Sequence, residues 1–263
     1  MVDFQLCSDL HLEMRGGLRA GADAYPRPAA SVLVLAGDLY PAGSSEFKEI
    51  LRRATEGFQL ALYVPGNHEY YGCTGSMDKL EGMVADKANS LSNVLCLNRK
   101  SLNIGDVAFI GATMWTNPPK STWANGVDEF NDYHAIKKTG SATFAPSDLC
   151  DVHKQHSAFL SRSLAAAKRA GAKSAVMVTH HVPDTRLSAE TGSRPEDLFP
   201  FYFATDMGKL VGDPFVKIWC HGHSHESHCI RLEPWGPLFA CNARGYPNER
   251  TGYVNNAVVS VHK

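Results

Sequence analysis

Five short apolar runs in this chain each stop abruptly on Asp, Asn or His, and no other feature constrains its fold as tightly. Val-Asp-Phe-Gln-Leu-Cys-Ser runs into Asp9 and His11, and Ser-Val-Leu-Val-Leu-Ala-Gly into Asp38. Leu-Ala-Leu-Tyr-Val-Pro-Gly precedes Asn67, His68 and Glu69; Ala-Val-Met-Val-Thr precedes His180 and His181; Val-Lys-Ile-Trp-Cys precedes His221, His223 and His225. Runs of this length bounded by turn residues are the pattern of buried strands. Strands are expected over 2–7, 31–36, 59–64, 107–111, 174–179, 216–220, 238–242 and 256–261. Helical patterns fall between them at 44–57, 76–90 and 147–170, the last with Gly171 just past its end, as a helix stop requires. Alternating strands and helices specify an α/β protein, and near-continuous apolar strands specify sheets covered on both faces.

The strand ends carry the chemistry. Open α/β sheets build their sites at the carboxyl edge of their strands, where all five groups sit. Asp9 and His11, like His223 and His225, are two residues apart, so in extended backbone each pair shares one face. Carboxylate, carboxamide and imidazole together suit Mn, Fe or Zn; Mg prefers all-oxygen shells. A carboxylate such as Asp38 can bridge two ions, and two ions about 3.5–4 Å apart can generate hydroxide at neutral pH and clamp a phosphoryl centre. Gly37, Gly66 and Gly222 beside these residues fit turns where backbone passes close to metal or substrate.

The remaining composition excludes several classes. A net charge of −1 offers no global field for nucleic acid or membrane surfaces. Seven cysteines without a CxxC pair argue against a disulfide framework and for a reducing compartment. With neither a leader nor a membrane span visible, the cytoplasm is the expected location. Closed structural zinc sites are cysteine-rich, unlike this set. The expected organisation is a single domain over residues 1–263, with insertions rich in Pro, Gly, Asn and aromatics near 114–146 and 182–214.

Taken in order, Asp9-Leu-His11, Gly37-Asp38, Gly66-Asn67-His68-Glu69, Thr179-His180-His181 and Gly222-His223-Ser-His225 resemble the five motif blocks of the calcineurin-like metallophosphoesterases. The resemblance implies a four-layered α/β/β/α sandwich of two mixed sheets flanked by helices. It implies that Asp9, His11 and His225 hold one metal, that Asn67, His180 and His223 hold a second, and that Asp38 bridges them. A bridging hydroxide would attack phosphorus, His68 would contact the phosphate or protonate the leaving group, and Asp9 would orient His68. His180 is preferred over His181 as ligand because it comes directly off the strand; His181 would then face substrate or pack against the loop at Pro183. The implied activity is hydrolysis of a phosphomonoester or phosphodiester, on a small phosphorylated substrate or a phosphoprotein. The alternative is a catalytically weak scaffold acting through protein contacts, whose mark would be missing ligands; here the set is complete.

Other residues invite two readings. Arg244 could grip a substrate phosphate or form a structural ion pair. Trp115, Trp123 and Asn131-Asp132-Tyr133 resemble segments of bacterial members of the same family, and either cover the site or pack their own loop. Tyr70 and Tyr71 could line the pocket. His134, His153, His156, His228 and His262 are read as surface or hydrogen-bonded residues, and His221 as structural because strand alternation turns it from the site. Cys7 and Cys220 are read as core hydrophobes.

Overall fold

The computed structural model describes residues 1–139, 142–188 and 199–261. His262 and residues 189–198 of the second insertion lie outside them.

Two mixed sheets face each other. The first contains β1 (Val2–Cys7), β2 (Val32–Ala36), β3 (Leu60–Val64) and β4 (Val94–Cys96), mutually parallel, with the antiparallel β11 (Val258–Val261) beside β1. The second runs β5 (Lys100–Ile104), β6 (Val107–Ala112), β7 (Ser174–Thr179), β8 (Val216–His221), β10 (Leu238–Cys241) and β9 (His228–Ile230). Its four central strands are parallel and its two edges antiparallel.

Alternation along each strand builds the layers. In β2, Val32, Val34 and Ala36 point between the sheets, where they meet Phe109, Val176 and Val178; Phe4 and Phe109 pack edge to face at 5.5 Å. Leu33 and Leu35 point the other way, against helices α1 (Phe47–Ala54) and α2 (Met77–Asn89). In α1 the buried residues are Phe47, Ile50, Leu51 and Ala54, a spacing that puts them on one face. The outer face of the second sheet, with Ile110, Met177 and Trp219, buries Leu160 and Leu164 of α5 (Pro146–Arg169). Pro146 opens α5, Asp148 accepts from the Ala145 amide, and Gly171 closes it at φ +85°. The result is the expected four-layered sandwich.

The expected strands appear within two residues of their limits. Three were missed: β4, β5 and β9 are short or substantially exposed, so they carry no buried apolar run. The first insertion is not all loop: it holds α3 (Trp123–Glu129) and α4 (Asp132–Ala135), and the described end of the second holds α6 (Phe199–Phe203). Among the described residues no helix is long and apolar enough to cross a membrane.

Candidate metal centre

Parallel register sets the carboxyl ends of the ligand-bearing strands side by side: Cys7 pairs with Leu35, Ala36 with Val64, and Val178 with Cys220. The loops leaving them are tied together by backbone bonds, from the Asp9 amide to the Gly37 carbonyl and from the Gly222 amide to the His180 carbonyl. Asp9, His11, Asp38, His223 and His225 all adopt left-handed φ values, between 43° and 69°. Non-glycine residues pay roughly 1 kcal/mol or more for such backbone, and it persists where the surroundings over-determine it, commonly at functional sites. Gly66 leaves room for the Asp38 carboxylate, into which an added methyl would run.

These loops gather three overlapping groups whose ligand atoms lie within 4.8 Å of one another: Asp9, His11 and His225; Asp38, His180 and His223; and His11, Asp38 and His68. Asp38 Oδ2 sits between the first two, 3.4 Å from His180 Nε2 and 3.7 Å from His11 Nε2. Asn67 Oδ1 is 3.1 Å from His180 Nε2 and so joins the second group.

The outward hydrogen bonds decide which atoms face inward. His180 Nδ1 is 2.9 Å from the Ala36 carbonyl, which only accepts, so Nδ1 carries the proton. Glu13 receives His11 Nδ1 at 3.1 Å, and Glu249 receives His225 Nδ1 at 2.6 Å. Asn67 spends its amide hydrogens on Asp132 and the Tyr71 hydroxyl, at 2.7 and 2.9 Å. In the neutral rings of His11, His180 and His225, and in Asn67, the inward atoms left are therefore acceptors, and ring nitrogens nearly touch: His11 Nε2 and His225 Nε2 are 3.0 Å apart, and His180 Nε2 and His223 Nδ1 are 3.2 Å apart. Lone pairs that converge on lone pairs and carboxylates require positive charge between them. In the ion-free chain protons answer part of that demand. Burial alone would depress His180, but Asp38 and Asp9 outweigh it and raise the ring to about 9. Asp9 and Glu249 likewise overcome burial at His225 and raise it to about 10. His223 moves the other way, held well below its usual value by burial and by His181 and His180. Nitrogen and oxygen donors with carboxylate-anchored imidazoles are what a divalent cation of the Mn, Fe or Zn type takes.

His68 stands at the mouth of this cluster. Its Nδ1 is 3.0 Å from Glu13 Oε1, and its Nε2 faces Asp38 Oδ2 at 3.9 Å and the Tyr246 hydroxyl at 3.5 Å. The expected orienting residue, Asp9, is occupied elsewhere: it accepts the His223 amide at 3.0 Å and faces His225. Glu13 takes that place, because the turn after His11 brings it under both rings.

Two suggested substrate residues do not line the cleft, although the His181 ring packs 4.3 Å from that of His223. His181 is buried with Nδ1 3.2 Å from the Thr113 carbonyl and its ring 5.3 Å from Trp115, and it does not line the cleft above the cluster. Arg244 donates to the Asp23 carbonyl at 2.7 Å and lies over Tyr253. Trp115 and Tyr70 are core residues with tilted rings 5.6 Å apart, whereas Tyr71 lines the cleft. His221 is bonded to His228 at 3.0 Å, and His153 and His156 are buried and hydrogen-bonded.

Three carboxylates that matter here, Glu13, Glu249 and Glu69, carry no role in the sequence pattern, and Asp132, in a segment expected to cover the site or pack its loop, holds Asn67. Glu69 is fully buried and accepts the amides of Gly66, Leu39 and Asp38 at 2.6, 2.7 and 3.1 Å, which fixes the Asp38 turn. Burial and the neighbouring Asp38 push its carboxyl up to about 7. Only its place in the Asn-His-Glu block could have signalled it.

Sequence and structure comparisons agree with this geometry. The calcineurin-like phosphoesterase family profile matches residues 4–227. "Uncharacterized protein L509" of Acanthamoeba polyphaga mimivirus is 26% identical over 275 residues, covering 97% of this chain and 95% of that protein. The phosphopantetheinyl hydrolase PptH from Mycobacterium tuberculosis has the same fold, with a TM-score of 0.69 at 18% identity over 93% of this chain and 89% of that one. A family match over most of the chain, on two facing sheets of the same fold, establishes that this protein belongs to the calcineurin-like phosphoesterases.

Proposed function

We propose that the chain hydrolyses a phosphomonoester or phosphodiester of a small molecule or phosphoprotein with two divalent cations in its cluster. Asp9, His11 and His225 would hold one, Asn67, His180 and His223 the other, and Asp38 would serve both. The observation that carries this reading is the position of Asp38 Oδ2, between His180 Nε2 at 3.4 Å and His11 Nε2 at 3.7 Å, with inward-facing acceptors on both sides. Cations held there supply Lewis acidity at the phosphoryl oxygens and lower the pKa of water toward neutrality.

The chain's own groups do the rest. Glu13 fixes the His68 ring with Nε2 toward the cleft. Burial opposes charge on that ring, while Asp38, Glu13 and Asp132 favour it, and its Nε2 is placed to deliver a proton to a leaving oxygen. Glu249 and the Ala36 carbonyl keep the imidazoles of His225 and His180 turned inward.

The test is hydrolysis of p-nitrophenyl phosphate and bis-p-nitrophenyl phosphate with and without added Mn²⁺, together with a count of bound metal. Turnover that needs the metal and falls in Asp38→Ala, with loss of bound ions, supports the reading. A chain holding two ions that turns over neither ester, or an Asp38→Ala variant that keeps both ions, sinks it.

A further inference from the structure

The cleft above the cluster encloses about 410 Å³, and its charges are one-sided. Among the described residues lining it are the carboxylates of Asp38, Glu129, Asp132 and Glu249, and no lysine or arginine. Two arginines close by in the sequence to cluster residues are held facing elsewhere. Arg15 donates to the carbonyls of Leu10 and Gly245, and Arg244 to that of Asp23. Sites built for phosphate dianions ordinarily answer their charge with Arg or Lys. Here the positive charge would come from the two cations. Against it stand the carboxylates of Asp9 and Asp38 in the cluster, Glu13 beside His11 and His68, and Asp132, Glu249 and Glu129 along the cleft. A phosphomonoester adds close to two negative charges near neutral pH, because its second pKa is about 6, and a diester adds one. Aromatic rings flank the cluster along the cleft: Phe203 stacks on His223 at 4.6 Å, Tyr246 lies 4.7 Å from His225 and Tyr71 4.3 Å from His68, and Phe130 after α3 lines the cleft with them.

Resting on the hydrolysis reading above, we infer that the site selects phosphodiesters whose leaving group is uncharged or cationic and presents an apolar face. Glu129, exposed at the end of α3 on the rim of the cleft, sets that selectivity by repelling a second phosphoryl charge. The preference belongs to the first insertion, not to the metal ligands.

The experiment is calorimetric binding of diphenyl phosphate and phenyl phosphate to the Mn²⁺-loaded protein, at about 0.05 M and about 0.5 M salt, with Glu129→Gln and Glu129→Lys alongside. Wild type should bind the diester several-fold more tightly. Glu129→Lys should narrow that ratio by roughly three- to ten-fold, Glu129→Gln by less, and high salt should shrink both effects, because a rim charge acts through screened Coulomb interaction. Equal metal content in the variants shows that they fold. Monoester binding as tight as diester binding, or a ratio indifferent to Glu129→Lys, overturns the inference. Diester preference in binding without hydrolysis of either nitrophenyl ester would sink the hydrolysis reading and uphold the selectivity of the site. Hydrolysis with the monoester preferred would do the reverse.

Discussion

Asn67 Nδ2 donates to Asp132 at 2.7 Å across 65 residues of sequence, and Tyr71 donates to the same carboxylate oxygen at 2.6 Å. The first insertion thus returns to the cluster and fixes which end of the Asn67 amide faces it. Asp132→Asn should let that amide turn and weaken cation binding at the Asn67 side by roughly 10- to 100-fold, the usual cost of losing an outer partner of a metal ligand. Mn²⁺ titration of wild type and variant measures this. An unchanged affinity for both ions would show that Asn67 needs no such support.

His68 and Asp38 differ in what they should do to metal. His68→Ala is expected to lower turnover by about 10²- to 10⁴-fold, the range for losing a positioned acid, with bound metal unchanged. Metal analysis of the purified variant beside its kinetics decides the point. Because His68 lies in one of the ligand groups with His11 and Asp38, loss of an ion in this variant would make it a ligand instead.

Glu249 should behave as a positioning residue. Its 2.6 Å contact with His225 Nδ1 keeps Nε2 directed at the cluster, and Glu249→Gln should weaken binding of the ion on that side by roughly 10-fold or more. Competition with a chelator reads the affinity directly. Equal release rates for wild type and variant would remove Glu249 from the site.

Glu81 joins α2 to α5 and the strand edge, with His156 at 2.7 Å and Arg99 at 3.0 Å. Glu81→Ala would leave a buried histidine donor and an arginine without their acceptor. The expected loss is roughly 2–3 kcal/mol, below the full cost of breaking a buried pair because Arg99 reaches solvent. Urea unfolding measures it, and the cluster's metal content should not change.

His153 predicts a pH effect of defined sign. Burial lowers its pKa from 6.5, outweighing the carbonyls of Trp115 and Met114 that favour the charged form. The unfolded chain therefore takes up the proton first, so this contribution to stability is complete above pH 6.5 and declines as pH falls below it. His153→Gln should flatten the slope by up to about 1.4 kcal/mol per pH unit between wild type and variant in chelator. A wild-type slope matched by the variant would show that His153 is already charged in the fold.

Much of this was legible locally. The apolar runs of β1, β2, β3, β7 and β8 end where hydrophobicity ends, so the sequence by itself located both the strands and the donors that follow them. Period-two spacing in Asp9-x-His11 and His223-x-His225 was visible too. In the fold, however, it works through left-handed backbone at all four residues, not through extended strand. Alternation likewise assigned His221 away from the cluster.

What only the tertiary structure decided is every relationship that spans the two sheets. His180, not His181, reaches the cluster because its Nδ1 meets the Ala36 carbonyl of the opposite sheet, while His181 is captured by Thr113 and Trp115. Glu13, Asp132 and Glu249 become partners of His68, Asn67 and His225 only once distant loops close over one edge. Run lengths and residue spacing are properties of neighbouring residues and can be read along a chain. Which nitrogen carries a proton, and which carboxylate receives it, depends on distances of a few ångströms between segments that local pattern does not encode.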